Sequence, residues 1–402
     1  MGLVAAVCLF CIFLLVFILK RDIFHPAVIV SGVWGTLLLF YNLIEHPLYP
    51  LSGMFYFAVS LWVIPFVMVT LFMDKVKLVV PTNMFIQTCN EKLLNKLFPF
   101  FILIVVYLIY ETIRLSDTLT FDLNIISHLR NAILESMDDS MTYPLPYRIA
   151  KILSRFSFVG FICYLVCYRK VPKFKVIILG ILICISFFIT GAKMGLLSFF
   201  VLLFYWCVKK YHISNKKLFL IICLSIGIMA FMQVMRRDEN AREGYDLLYT
   251  LQIYVFSAFP AFDSILSGET IMPEYSLGGY VFSSLSSLFN WFTIFKGNTD
   301  PLALYKYVYI PYPTNVYTVL NFYYLDFGLP GILIFSIMYG ILSGFLYKTS
   351  IMGSRIFEII YSMYVFILIF QFFGDFFFLQ YTALIVSFFA CMLFIPKYKL
   401  KW

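Results

Sequence analysis

Apolar runs of about twenty residues recur along this chain, separated by short polar breaks. About 20 apolar residues in a helix cross a hydrocarbon core of about 30 Å. On that measure the pattern predicts spans near 2–19, 26–44, 52–73, 97–114, 149–168, 176–190, 194–208, 218–235, 326–347, 356–373 and 376–395. The expected fold is therefore an all-α polytopic membrane protein with about eleven transmembrane helices. The stretches 247–266 and 276–295 would raise the count to thirteen as a further pair. Pro260 and the Ser-rich run 283–287 favour a loop packed on the membrane face instead.

Alternate breaks are basic: Lys20 and Arg21, Lys75 and Lys77, Arg169 to Lys175, Lys209 to Lys217, Lys348 and Arg355, and Lys397 to Lys401. Cations collect on the cytoplasmic side of spans, so the N-terminus is expected outside and the C-terminus in the cytoplasm. The opening run GLVAAVCLFCIFLLVFIL has no positive charge before it and Lys20-Arg21 after it, the reverse of a signal peptide. Two outer segments are long. In 115–148, apolar positions 126, 129, 133 and 137 keep helical spacing after Thr120 or Asp122, which predicts an amphipathic surface helix. The other, 236–325, is a large aromatic-rich outer loop before the ninth span. No repeat or soluble domain is evident, so 1–402 reads as one integral membrane domain.

Composition agrees with the pattern: 62% hydrophobic, 13% charged, mean hydropathy +0.92. A soluble chain cannot hide that much apolar surface. The net charge of +9 does not point to nucleic acid, because the cations punctuate the spans. Of nine cysteines only Cys89 lies in a polar loop, and the four histidines are scattered. No disulfide framework, metal site or cofactor is expected.

The informative charges are those set deep. At 1.5 Å per residue, Arg155 lies about 21 Å from the break at Arg169, Lys193 about 24 Å from Lys209, and Glu111 about 22 Å from Lys96. A charge facing lipid there costs on the order of 3 kcal/mol or more. These side chains should face a polar cavity or one another. Arg148, Lys151 and Arg155 share one helical face, and Arg236, Arg237 and Arg242 follow in RRDENAREG at the outer rim. Two readings stand: an outward-facing cationic pocket suited to a phosphate or diphosphate, or local neutralisation, with Glu111 against Arg155 and a salt-bridged helix end at 236–244.

Three motifs together resemble a family: the hairpin TGAKMGLLSFF (190–200), the basic entry RRDENAREG (236–244), and YPTNVYTVLNFYYLDFGLPGILIFSIMYGILSGFLY (312–347). They look like the Wzy-type O-antigen or oligosaccharide repeat-unit polymerases of bacterial inner membranes, over roughly the second half of the chain. The resemblance implies a glycosyltransferase that works on the periplasmic side. It would join undecaprenyl-diphosphate-linked repeat units, as donor and acceptor, into a surface polysaccharide, O-antigen or capsule. A chain-length regulator protein is a candidate partner. Where the family usually has Arg in the hairpin, this chain has Lys193, which gives up bidentate recognition.

On that resemblance, Arg155, Lys193, Arg236, Arg237 and Arg242 would hold the donor diphosphate during an inverting displacement. Asp326, Glu239 or Asp263 would take the proton from the attacking hydroxyl. Asn315, Tyr317, Asn321 and Tyr324 would bind sugar. Asp326 as a helix cap, and the tyrosines as interfacial belt residues, stand as the plainer alternatives. An O-antigen ligase and a lipid-linked-sugar flippase are the competing functions.

Overall fold

The computed structural model of the protein describes residues 2–77, 90–115, 144–168, 172–190, 193–210, 227, 247–272, 278–281, 307–311, 313–379 and 381–395. The described chain is almost wholly helical. Its helices are α1 (Gly2–Lys20), α2 (Pro26–Leu43), α3 (Gly53–Lys75), α4 (Glu91–Arg114), α5 (Leu145–Cys167), α6 (Lys173–Ile189) and α7 (Lys193–Lys209). They continue with α8 (Leu247–Phe256), α9 (Ala258–Leu266), α10 (Leu320–Ile351), α11 (Arg355–Ile369), α12 (Phe376–Leu379) and α13 (Tyr381–Phe394). Strands β1 (Val308–Tyr309) and β2 (Pro313–Thr314) form one small antiparallel pair, Val308 opposite Thr314.

Among the described residues seven helices are long and apolar enough to cross a membrane: α1 to α5, α10, and α11 extended to Phe372. This is the architecture of a multi-pass, all-helical membrane protein. Helices α8 and α9, of 10 and 9 residues, are too short to cross singly. The expected surface helix, the expected eighth span and much of the expected large loop fall in 115–143, 211–246 and 273–306, which apart from Leu115, Gly227 and 278–281 lie outside the described residues.

The chain divides into two compact units: Met1–Val79, Tyr245–Lys348 and Ile367–Tyr381 form the first, and Val80–Gly244, Thr349–Phe366 and Thr382–Trp402 the second. Lipid is as apolar as leucine, so helices in a membrane associate through close packing and interhelical hydrogen bonds. In the first unit Gly35 of α2 lies against the backbone of α1: a Cβ there would come 2.9 Å from Phe10 Cα and 3.0 Å from the Leu9 carbonyl oxygen. Neither atom can swing aside. Gly35→Ala is therefore expected to force α1 and α2 apart at about 1–3 kcal/mol, read as a lower thermal unfolding midpoint in detergent.

Polar contacts do the rest. Ser336 donates to the Trp62 carbonyl at 2.5 Å, and Trp62 stacks on Tyr323 at 5.6 Å. At one end of the first unit Lys20 and His25 both meet Asp74, while Lys348 donates to the carbonyls of Met73, Asp74 and Val76 and so closes the C-terminus of α3. Helix α10 is broken at Gly328, whose φ of +63° suits glycine. Pro330 follows in the first turn of the next segment, where a missing N–H costs nothing.

In the second unit the antiparallel register of α4 and α5 is set by Ser157 donating to Phe101 O (3.1 Å), Tyr164 to Leu94 O (2.6 Å) and Tyr168 to Glu91 O (3.0 Å). Helices α6 and α7 have 17 residues each, about 26 Å at 1.5 Å per residue. That is short of a full span.

Candidate functional site

Each unit carries its own polar feature within an apolar frame. In the second unit it is cationic. Helices α5 and α7 run parallel, and Phe199 of α7 packs against Phe158 (6.2 Å) and Phe161 (5.2 Å) of α5. Those rings fix the register: residue 199 is level with 158–161. Counting back, Arg155 and Lys193 come within about one turn of each other along the bundle, roughly 5 Å. Lys193 is buried and opens α7. A cation is disfavoured beside the positive end of a helix, and buried charge is costly without a counter-charge. No carboxylate pairs with Arg155 among the described residues. Two cations at one level beside a helix N-terminus are an arrangement suited to an anion. Arg148 and Lys151, higher on α5, are exposed.

Glu111 is not the counter-charge. It is buried and pairs with Arg114 at 2.8 Å. The register of α4 on α5 sets it level with Tyr147, about 12 Å beyond Arg155. The sequence ruler began at Lys96, whereas α4 begins at Glu91, more than a turn earlier. Neutralisation of Arg155 by Glu111 is thereby corrected.

In the first unit the feature is a cleft of about 700 Å³, at the end opposite the Lys20–Asp74 pair. Tyr49, Tyr307 and Tyr309 present exposed rings to it, and Asp263, Glu269, Ser264 and Thr270 give it polar walls. Asp263 projects from α9 and is buried. Its two oxygens accept from the backbone N–H (2.7 Å) and hydroxyl (2.5 Å) of Ser52, the N-cap of α3. Glu269 is exposed.

Asp326 sits at the end of the first segment of α10. Its carboxylate accepts from the N–H groups of Tyr280 (3.1 Å) and Val281 (2.7 Å), so it clamps the turn at 278–281 and not the start of its own helix. Tyr317 and Asn321 are buried, Tyr324 packs on the Phe262 ring at 5.9 Å, and Asn315 is half-buried. The exposed rings at the cleft are thus other tyrosines than those singled out in the sequence. Glu239, Arg236, Arg237 and Arg242 lie outside the described residues.

Beneath these residues lies a polar network that the sequence reading missed. Gln371 takes the indole N–H groups of Trp62 (3.0 Å) and Trp34 (3.4 Å) on its Oε1. Asp375, buried, accepts from the hydroxyls of Tyr323 and Tyr339 (2.7 Å) and from the N–H groups of Phe377 (3.0 Å) and Phe378 (3.3 Å). Among the described residues neither amide atom of Asn321 is bonded, and Thr318 Oγ1 and Gln371 Nε2 are likewise without a partner. One signal was present. In QFFGDFFFL a lone carboxylate stands among phenylalanines, and burial there demands donors.

No family model, curated protein or solved structure matches the chain.

Proposed function

We propose that the protein is a membrane glycosyltransferase that polymerises undecaprenyl-diphosphate-linked oligosaccharide repeat units into a surface polysaccharide. The reading starts from the Wzy-type resemblance of 190–200, 236–244 and 312–347. The observation that carries it is the level shared by Arg155 and Lys193 at the mouth of the short α6–α7 hairpin. A diphosphate leaving group needs such charge stabilisation, and in a water-poor site each donor is worth more than in water. An acceptor hydroxyl would attack the anomeric carbon, and the carbon–oxygen bond to the diphosphate would break with its electron pair leaving on the phosphate. Asp326, Glu239 or Asp263 would receive the proton. Arg236, Arg237 and Arg242 would line the entry.

The same proposal sets the protein in a bacterial inner membrane with about eleven spans. The N-terminus and the cleft of the first unit would then face the periplasm, and the basic breaks the cytoplasm. Gene deletion separates the functions. Lipid carrying a single repeat unit is the expected product in the deletion strain. Long polymer left on the carrier would mean a ligase, and repeat units trapped on the cytoplasmic face would mean a flippase.

A further inference from the structure

The second unit has a second cationic feature, at the end opposite Lys193. Helices α5 and α7 both finish there and α11 begins there. Between them lies a pocket of about 490 Å³ lined by Val166, Cys167, Tyr168, Trp206, Lys209, Lys210, Arg355 and Glu358. Among the described residues three cations face one carboxylate there. Lys210 is spent on structure: its ammonium donates to the carbonyls of Leu165, Val166 (3.0 Å) and Tyr168 (3.2 Å), which closes the C-terminus of α5. Arg355 is held by Glu358 through Nη1 at 2.7 Å, which fixes the guanidinium and leaves the rest of its fork of donors available. Burial first, and next the charge of Arg355, pull the Lys210 ammonium below its ordinary range, against the smaller opposing effects of Cys167 and Glu358.

An independent observation comes from Trp206. Its side chain is 2% exposed and lines the pocket, yet its Nε1–H has no acceptor among the described residues. Leaving such a donor orphaned costs about 1–3 kcal/mol, and a tryptophan at this position could have been a phenylalanine without that cost. A neutral N–H, a guanidinium fork and a lysine converging on one pocket are a donor set with one acceptor chemistry in common: a phosphate oxygen.

We propose that this pocket binds a phosphate group, with Trp206, Lys209 and Arg355 as the donors. It is separate from the Arg155–Lys193 level and does not depend on the glycosyltransferase reading. Helix ends rich in lysine and arginine sit at the headgroup layer of a bilayer, so an anionic phospholipid is the source expected, with free phosphate as the other.

The test uses the full chain purified in detergent. Thermal unfolding is followed against phosphatidylglycerol, phosphatidylcholine and inorganic phosphate, the last with chloride holding ionic strength constant. Phosphatidylglycerol is expected to raise the midpoint saturably and phosphatidylcholine to do so far less. Trp206→Phe, which keeps an aromatic side chain and removes the donor, should weaken the apparent affinity about tenfold, the scale of one hydrogen bond to a charged group. Arg355→Gln, at an exposed position, should do the same. A saturable shift with inorganic phosphate that is equally sensitive to both variants would keep the site and make free phosphate its ligand. Absence of a saturable shift with either ligand, or a shift unchanged in both variants, overturns the proposal.

Discussion

Asp375→Ala is expected to be the most destabilising single substitution in the first unit, at roughly 3 kcal/mol or more. Native Asp375 serves four donors at once: two tyrosine hydroxyls and two backbone N–H groups. Alanine takes this acceptor from all four in a place water does not reach, while Tyr323 keeps a contact to Tyr339 at 2.9 Å. Tyr339→Phe removes one of these donors, and the Tyr323 hydroxyl that also approaches Tyr339 keeps Asp375 as its acceptor, so it should cost only about 1 kcal/mol. The order of the two midpoints in detergent is the check. An Asp375→Ala midpoint equal to the native one would mean that the network contributes nothing.

The same carboxylate gives a pH dependence whose sign follows from its surroundings. Burial raises the Asp375 pKa, against the pull of Tyr323, Tyr339 and the two N–H groups. The folded protein then holds this proton more tightly than the unfolded chain does. Stability is therefore highest on the acid side and declines as pH rises through the folded pKa. Asp375→Asn, which cannot ionise, should flatten that decline.

What could be read from the residues alone depended on whether the signal was local. Helices α1 and α2 fall within a residue or two of the predicted 2–19 and 26–44, because hydropathy over twenty residues is a local property. The ninth span was set to start at 326, yet α10 starts at Leu320. Asn321, Tyr323 and Tyr324 made the preceding turn look like loop, and nothing nearby shows that Asn321 and Tyr323 are buried. The partners of the carboxylates were out of reach for the same reason. Ser52 and Asp263 are 211 positions apart, and Asp326 and Val281 are 45 apart. Depth counting set Arg155 and Lys193 near one level, as the Phe199 ring contacts also do, because helix rise is also local. It misjudged Glu111, because its zero point was a lysine and not the helix start.

Arg155→Ala is expected to cut polymer formation about a hundredfold or more, the loss seen when one charge-stabilising donor is taken from a preorganised site. Lys193→Ala should do likewise, while Lys193→Arg, which restores a cation at the opening of α7, should stay active. Chain-length ladders of the surface glycan, at matched amounts of protein in the membrane, would show this. Stability provides the decisive second measurement. Arg155 is half-buried in an apolar bundle with no described carboxylate partner, so removing its charge should leave the thermal midpoint unchanged or raise it. A residue kept for packing behaves in the opposite way, with activity following stability downward. The diphosphate role therefore requires a variant that is at least as stable as the native protein and inactive. An Arg155→Ala protein that is less stable and still makes full-length polymer would leave the guanidinium a structural part of α5, and the cationic level would lose its function.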